Sequence, residues 1–244
     1  MPLLTIFDID SPIWLTPPEV GYQLGNGIHI WRVHIPSNIK VLDGYHDVLS
    51  ETELSRAGEY QRVADRIRFI VSRVVLRKLL GHYTGLTPNQ ITINNDHYGK
   101  PYIANANITP IHFNLSHSGD LILLGFSTQP IGVDIEFINP DFPYDEVLNN
   151  YFSPKEIEFV NRNSGRDAFY KLWTRKEAYL KAIGKGISDD LMKVPCLDGI
   201  YEPHGYEVYR NSGIRTISFN TYALYSSSIT ASQIVKGMIF YNFI

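Results

Sequence analysis

The sequence predicts an α+β fold built in two halves. Two strongly helical stretches, 50–80 and 167–183, alternate with short strand-like runs. The dipeptide Gln129-Pro130 separates one such set from the next, which gives an N-terminal half over 1–129 and a C-terminal half over 130–244. At 244 residues the chain is long enough for one large domain or two modest ones with real cores.

Taken in order, residues 1–27 contain Pro2, Pro12, Pro17 and Pro18 and read as an irregular arm. Ile28–Ile35 alternates apolar and polar positions and is a strand candidate. Ser50–Leu80 is helical, with arginines at 66, 68, 73 and 77 between apolar residues, and Gly81 then Gly85 end it. Ile91–Ile93 is a short strand before the turn Asn94-Asn95-Asp96, and Gly99-Lys100-Pro101 follows. Phe113–Ser116 and Leu121–Phe126 are strands flanking a hairpin or loop at His117–Asp120, and Ile131–Phe137 is another strand.

Asn139–Tyr151, polar and with two prolines, reads as a surface loop. Ser153-Pro154-Lys155-Glu156 fits a helix start, with Ser at the cap, Pro at the first position and Glu three on. Asp167–Ile183 is a helix stopped at Gly184. Residues 194–244 alternate in short runs, such as Gly205–Tyr209 and Thr216–Phe219, and read as mainly β. No fixed-period repeat is evident.

Bulk composition excludes several classes. Hydrophobic residues make up 44% and charged residues 19%, ordinary for a globular protein. A net charge of -3 argues against a broad nucleic-acid-binding field. One cysteine, Cys196, makes neither an internal disulfide nor a cysteine-rich zinc site. There is neither a secretory leader nor an apolar run of membrane-spanning length, so the expectation is a cytoplasmic protein acting away from membranes.

Four constellations carry chemistry. In Ile131-Gly132-Val133-Asp134-Ile135-Glu136, strand alternation puts Asp134 and Glu136 side by side with Val133 and Ile135 toward a core. Adjacent carboxylates repel unless a cation lies between them, and hard oxygen ligands suit Mg²⁺ beside substrate phosphates. An acidic, solvated edge strand is the plain alternative. In the string Lys171–Gly186, Trp173, Glu177 and Lys181 share one helix face, although Glu177 and Lys181 also have the spacing of an ordinary surface ion pair. Phe113-Asn114-Leu115-Ser116-His117-Ser118-Gly119 presents hydroxyls, an amide and an imidazole to a phosphate, or is a turn with an incidental histidine. Arg62, Arg66, Arg73 and Lys100 supply basic groups, with Lys100 held in a Gly-Lys-Pro turn.

These strings resemble, in the same order, the motifs of the Sfp-type 4′-phosphopantetheinyl transferases. Phe113–Gly119 is similar to the family's Asn-Leu-Ser-His-Ser motif, and Gly132–Glu136 to its Gly-Val-Asp-Ile-Glu motif. Phe169–Gly186 resembles its Trp-Thr-x-Lys-Glu-Ala-x-x-Lys-x-x-Gly-x-Gly motif. The resemblance implies two similar α/β subdomains related by pseudo-twofold symmetry, with coenzyme A in the cleft between them. It implies Asp134, Glu136 and Glu177 as Mg²⁺ ligands, Glu177 as the base for an incoming serine, and Lys181 as the group that neutralises the pyrophosphate. Ser116, His117 and Lys100, with Arg66 and Arg73, would hold the nucleotide phosphates.

The partner it implies is an apo acyl or peptidyl carrier protein, and a monomer is expected because one chain already builds the cleft. Phe142, Tyr144, Tyr151 and Phe152 are candidates for the carrier surface, or else simply pin their loop. A Mg²⁺-dependent nucleotide pyrophosphohydrolase and a non-catalytic carrier-binding module are the alternative functions.

Overall fold

The structure is a computed structural model and describes residues 3–18, 23–184, 191–202 and 213–244. The first half contains β1 (Leu4–Asp8), β2 (Trp14–Leu15), β3 (Ile28–His34), α1 (Glu51–Glu59), α2 (Val63–Thr84), β4 (Ile93–Asn95), β5 (Pro101–Ile103), β6 (His112–Ser118) and β7 (Leu121–Ser127). The second contains β8 (Ile131–Phe137), α3 (Asp145–Tyr151), α4 (Pro154–Arg162), α5 (Arg166–Ile183), β9 (Gly199–Tyr201), β10 (Ile214–Asn220), β11 (Tyr225–Ser232) and β12 (Met238–Asn242).

One supersecondary unit occurs twice. A strand, a long helix and a hairpin follow each other as β3–α2–β6–β7 and again as β8–α5–β10–β11. In both copies the second hairpin strand lies in the middle, giving the local orders β3-β7-β6 and β8-β11-β10. This is the pair of similar α/β subdomains expected. Each unit gains one parallel strand from the other end of the chain: β12 pairs with β3, and β1 pairs with β10. The sheets are therefore β2-β12-β3-β7-β6 and β9-β1-β10-β11-β8.

The layers run α2, first sheet, second sheet, α5. Ile28, Ile30, Leu121 and Leu123 of the first sheet meet Ile131, Val133, Ile135 and Ile217 of the second in one core. On the far side Trp31, Val33, Ile122 and Leu124 pack against Val71, Val75 and Leu79 of α2. Gly125 permits the close sheet contact, since a Cβ there would strike Val133 and Ile131.

Local signals explain the helix limits. The Ser50 N–H donates to Glu53 Oε2 (3.0 Å) and the Glu53 N–H to Ser50 Oγ (3.3 Å), closing a capping box on α1. Pro154 opens α4 while Glu156 Oε2 accepts the Ser153 N–H (2.8 Å). Gly184, at φ 74°, ends α5 in the left-handed conformation that glycine adopts without strain.

Several sequence expectations are corrected. The arm over 1–27 contains β1, an inner strand paired on both sides, despite its prolines. The helical region 50–80 is two helices broken at residues 60–62, and it runs through Gly81 to Thr84. His117 and Ser118 belong to β6, so the turn before β7 is only Gly119-Asp120. Residues 145–151 of the supposed loop form α3, whose Leu148 is buried. The Gly205–Tyr209 run and the Lys185-Gly186 stop lie outside the described residues.

Candidate functional site

The two sheets meet edge to edge at β6 and β8, the strands that no sheet neighbour covers on one side. Alternation along β8 sends Val133 and Ile135 into the core and Asp134 and Glu136 to the α5 side. Gly132 lies directly beneath α5, where a Cβ would collide with the Ala178 carbonyl and the Ala182 N–H. That close approach brings α5 down on β8 and delivers Glu177 and Lys181 to the same space.

The Asp134 carboxylate is 2% exposed. Its Oδ1 accepts hydrogen bonds from Lys181 Nζ (2.6 Å) and Ser116 Oγ (2.8 Å), and Lys181 also donates to Ser116 Oγ (3.0 Å). The partner of Lys181 is therefore Asp134 across the helix–strand interface, not Glu177 one turn earlier on its own helix. Burial opposes the Lys181 charge, but Asp134, Glu177 and Glu136 outweigh it and raise the ammonium above its ordinary pKa. Glu136 Oε2 accepts from Ser118 Oγ (2.7 Å). Burial, then the Asp134 charge, push Glu136 up to about 7, and the same two causes push Glu177 up to about 7.

These carboxylates fit a divalent cation. Asp134 Oδ2 and Glu177 Oε1 are buried and have no hydrogen-bond partner among the described residues, a costly condition that an oxygen-loving cation relieves. Among the described residues, no group of three or more His, Cys, Asp or Glu side chains is placed so that it could hold a metal ion as it stands. Lys181 explains the difference: one ammonium partly neutralises Asp134 in the cation's stead, and the donor set stays open. An open set suits Mg²⁺, which keeps waters and substrate oxygens among its ligands.

The basic residues separate into two groups. His117 is exposed near the end of β6, and partial desolvation of its ring, then the charges of Arg68, Lys181 and Arg73, lower its pKa. Arg68 donates from Nε to the Gly119 carbonyl (3.1 Å) and lines a cavity of about 420 Å³ with Ile67, Ile35 and Asp120. Arg68 also pairs with Asp65 (2.7 Å) and acts on His117 through its charge, a neighbour that the choice of Arg66 and Arg73 passes over. Arg73 stands over the Phe69 ring at 5.5 Å, within electrostatic reach of His117. Arg66 is exposed on α2.

Lys100 faces elsewhere. Its Nζ donates to the carbonyls of Lys181 (2.6 Å), Ala182 (3.1 Å) and Ile131 (3.1 Å), and burial pushes its pKa down to about 8. Three carbonyls use all three of its protons, so in this conformation it caps α5 and none is left for a phosphate.

The aromatic residues of the 138–152 segment mostly face inward. Phe152 is buried, and Phe142, Tyr144 and Phe152 pack on Phe169 at ring distances of 4.9 to 6.3 Å. A cavity of about 780 Å³ lies at the N-terminal end of α5, lined by Asp8, Trp14, Arg32, Lys171 and Tyr222. None of the three carboxylates lines it. The site is placed by charge and orphaned oxygens, not by cavity size.

The profile of the 4′-phosphopantetheinyl transferase superfamily matches residues 130–213, and that of the 4′-phosphopantetheinyl transferase N-terminal region matches 36–129. The protein slr0495 of Synechocystis sp. is 37% identical over 163 residues, 65% of this chain and 66% of its own length. The 4′-phosphopantetheinyl transferase HetI of Nostoc sp. is 33% identical over 180 residues, 72% of this chain and 76% of its own length. The 4′-phosphopantetheinyl transferase Sfp of Bacillus subtilis is 31% identical over 143 residues, 57% of this chain and 62% of its own length. The chain thus spans about two thirds of the relatives it matches. No helix among the described residues is long and apolar enough to cross a membrane.

Proposed function

The chain belongs to the 4′-phosphopantetheinyl transferase family, and we propose that it moves the phosphopantetheine arm of coenzyme A to a serine hydroxyl of an apo carrier protein. One observation carries this: an ion pair between buried Asp134 and half-buried Lys181 and two orphaned carboxylate oxygens stand at the seam between the halves, with Lys181 within electrostatic reach of His117. Phosphoryl transfer needs charge neutralisation and alignment more than covalent chemistry, and that is what this cluster offers.

In the proposed reaction the serine oxygen attacks the phosphorus that bears the pantetheine, and the bond to the adenosine bisphosphate breaks. Glu177, with a pKa near neutrality, accepts the serine proton. Lys181 faces the bridging and leaving oxygens, while His117, Arg68 and Arg73 bind the nucleotide phosphates. Asp134, Glu136 and Glu177 would hold Mg²⁺, which would supply positive charge for the pyrophosphate. Ser116 contributes by fixing Asp134 Oδ1. A cytoplasmic monomer that meets neither membrane nor nucleic acid completes the proposal, with the chain dividing near 129/130.

Intact mass spectrometry of an apo carrier protein incubated with this protein, coenzyme A and Mg²⁺ tests it. Gain of one phosphopantetheinyl group, abolished by Glu177→Ala or by chelator, is the expected result. Coenzyme A hydrolysed with no carrier modified would indicate the pyrophosphohydrolase. Neither product, with the carrier still bound, would indicate a binding module.

A further inference from the structure

The edge of β8 that β11 leaves free carries N–H groups that need partners, and no strand among the described residues supplies them. Side chains of β6 do so instead. Asn114 Oδ1 accepts the Val133 N–H (2.9 Å), and Ser118 Oγ accepts the Phe137 N–H (3.0 Å). Between them, Ser116 Oγ donates to Asp134 Oδ1 (2.8 Å), and Ser118 uses its own proton on Glu136 Oε2 (2.7 Å). The residues are alternate positions 114, 116 and 118 of one strand, so a single face of β6 meets β8.

We infer that this row of side chains is the clip that sets the register between the two halves, and that Ser118 is a positioning residue that aims Glu136. Its hydroxyl holds the strand backbone at Phe137 and one carboxylate oxygen of the preceding residue at once. Glu136 Oε2 is thereby fixed, and the carboxylate lies within electrostatic reach of Asp134 and Glu177. Nothing in the proposed reaction requires Ser118 to touch substrate. A one-residue slip of β6 on β8 would present Leu115 and His117 to β8 instead, and both carboxylates would lose their hydroxyl partners. The aiming role rests on the divalent-cation reading of the carboxylates; the clip does not.

Two measurements on Ser118→Ala and Ser118→Thr separate these parts. Without metal or coenzyme A, amide hydrogen exchange at Phe137 should quicken roughly tenfold in Ser118→Ala and return in Ser118→Thr, which keeps the hydroxyl. With coenzyme A present, Mn²⁺ affinity followed by electron paramagnetic resonance should weaken by about tenfold in Ser118→Ala and recover in Ser118→Thr. Unchanged exchange in Ser118→Ala overturns the clip. Unchanged Mn²⁺ affinity in Ser118→Ala, against tight binding by the wild type, overturns the aiming role alone. A wild type that binds no Mn²⁺ overturns the cation reading together with the aiming role, and leaves the exchange result to decide the clip.

Discussion

Asp134 gives one oxygen to Lys181 and Ser116, while its other oxygen and Glu177 Oε1 are buried without a hydrogen-bond partner among the described residues. Without a cation, then, the native state holds carboxylates that resist ionisation. Glu136 and Glu177 both titrate near 7, well above the 4.5 of an unfolded glutamate. Between those values the folded protein keeps protons that the unfolded chain has released. Their contribution to stability is complete below about pH 4.5 and is lost as pH rises toward about 7. Glu177→Gln should therefore stabilise the metal-free protein by about 1–3 kcal/mol at pH 8 and by little at pH 5. Paired thermal melts at the two pH values, with chelator, measure this; an equal gain at both would contradict the assigned titration. Alternation along one strand made Asp134 and Glu136 legible in the sequence, and helical spacing did the same for Glu177 and Lys181. It did not make the ion pair legible, because a Glu–Lys spacing on one helix says nothing about a carboxylate on the strand beneath. Arg68 was hidden for a related reason. Four arginines on one helix look alike until the register against Gly119 distinguishes them.

At the scale of elements, the site depends on how closely α5 lies on β8. Gly132→Ala would drive a methyl group into the backbone of α5 at Ala178 and Ala182, which no rotamer change relieves. A loss of about 3 kcal/mol or more in urea unfolding is expected, at the upper end of overpacking costs because backbone, not side chain, must yield. Little change would mean that α5 slides freely. The C-terminal end of the same helix is held from the other half of the chain by Lys100. Lys100→Met keeps most of the stem and strands three carbonyls, for an expected loss of about 1–3 kcal/mol. Calorimetry distinguishes the cap from a phosphate ligand. Coenzyme A affinity within about twofold of wild type fits the cap, whereas removing a charged phosphate contact would cost about tenfold. The Gly-Lys-Pro turn announced that Lys100 was held somewhere definite, but not what it held. Sequence also showed α5 and β8 to within a residue, since their caps and alternation are local. It missed α3, whose short span follows Pro140 and Pro143 and whose helical state rests on burying Leu148 against α5.

For the molecule as a whole, the repeated strand–helix–hairpin unit has no counterpart as a sequence period. The helix-facing side of the first unit is apolar, with Trp31, Val33, Ile122 and Leu124 against α2. In the second it is built of hydroxyls and charge: Thr174 meets Ser228, and Arg175 meets Ser218. Topology is shared and residue chemistry is not, so a search for recurring residues finds nothing. The termini were equally illegible, because their strands complete sheets whose other members are more than 200 residues away in sequence for both β1 with β10 and β12 with β3. This exchange has a consequence for a division near 129/130. A 130–244 fragment lacks β1, which lies between β10 and β9, and it loses Leu4 and Ile6 from the core they share with Tyr179 and Leu180. Large apolar side chains removed from such a core cost about 2–5 kcal/mol each, comparable to the whole stability of a small domain. A 1–129 fragment lacks β12, which joins β2 to β3 and brings Phe240 and Tyr241. Neither fragment should therefore show a cooperative thermal transition by circular dichroism, whereas the two co-expressed should associate and melt together. A sharp melt from 130–244 alone would mean that β1 merely decorates a sheet already complete. Its absence, with recovery in the pair, would make the exchanged strands the reason that each wall of the seam folds only with the other half of the chain present.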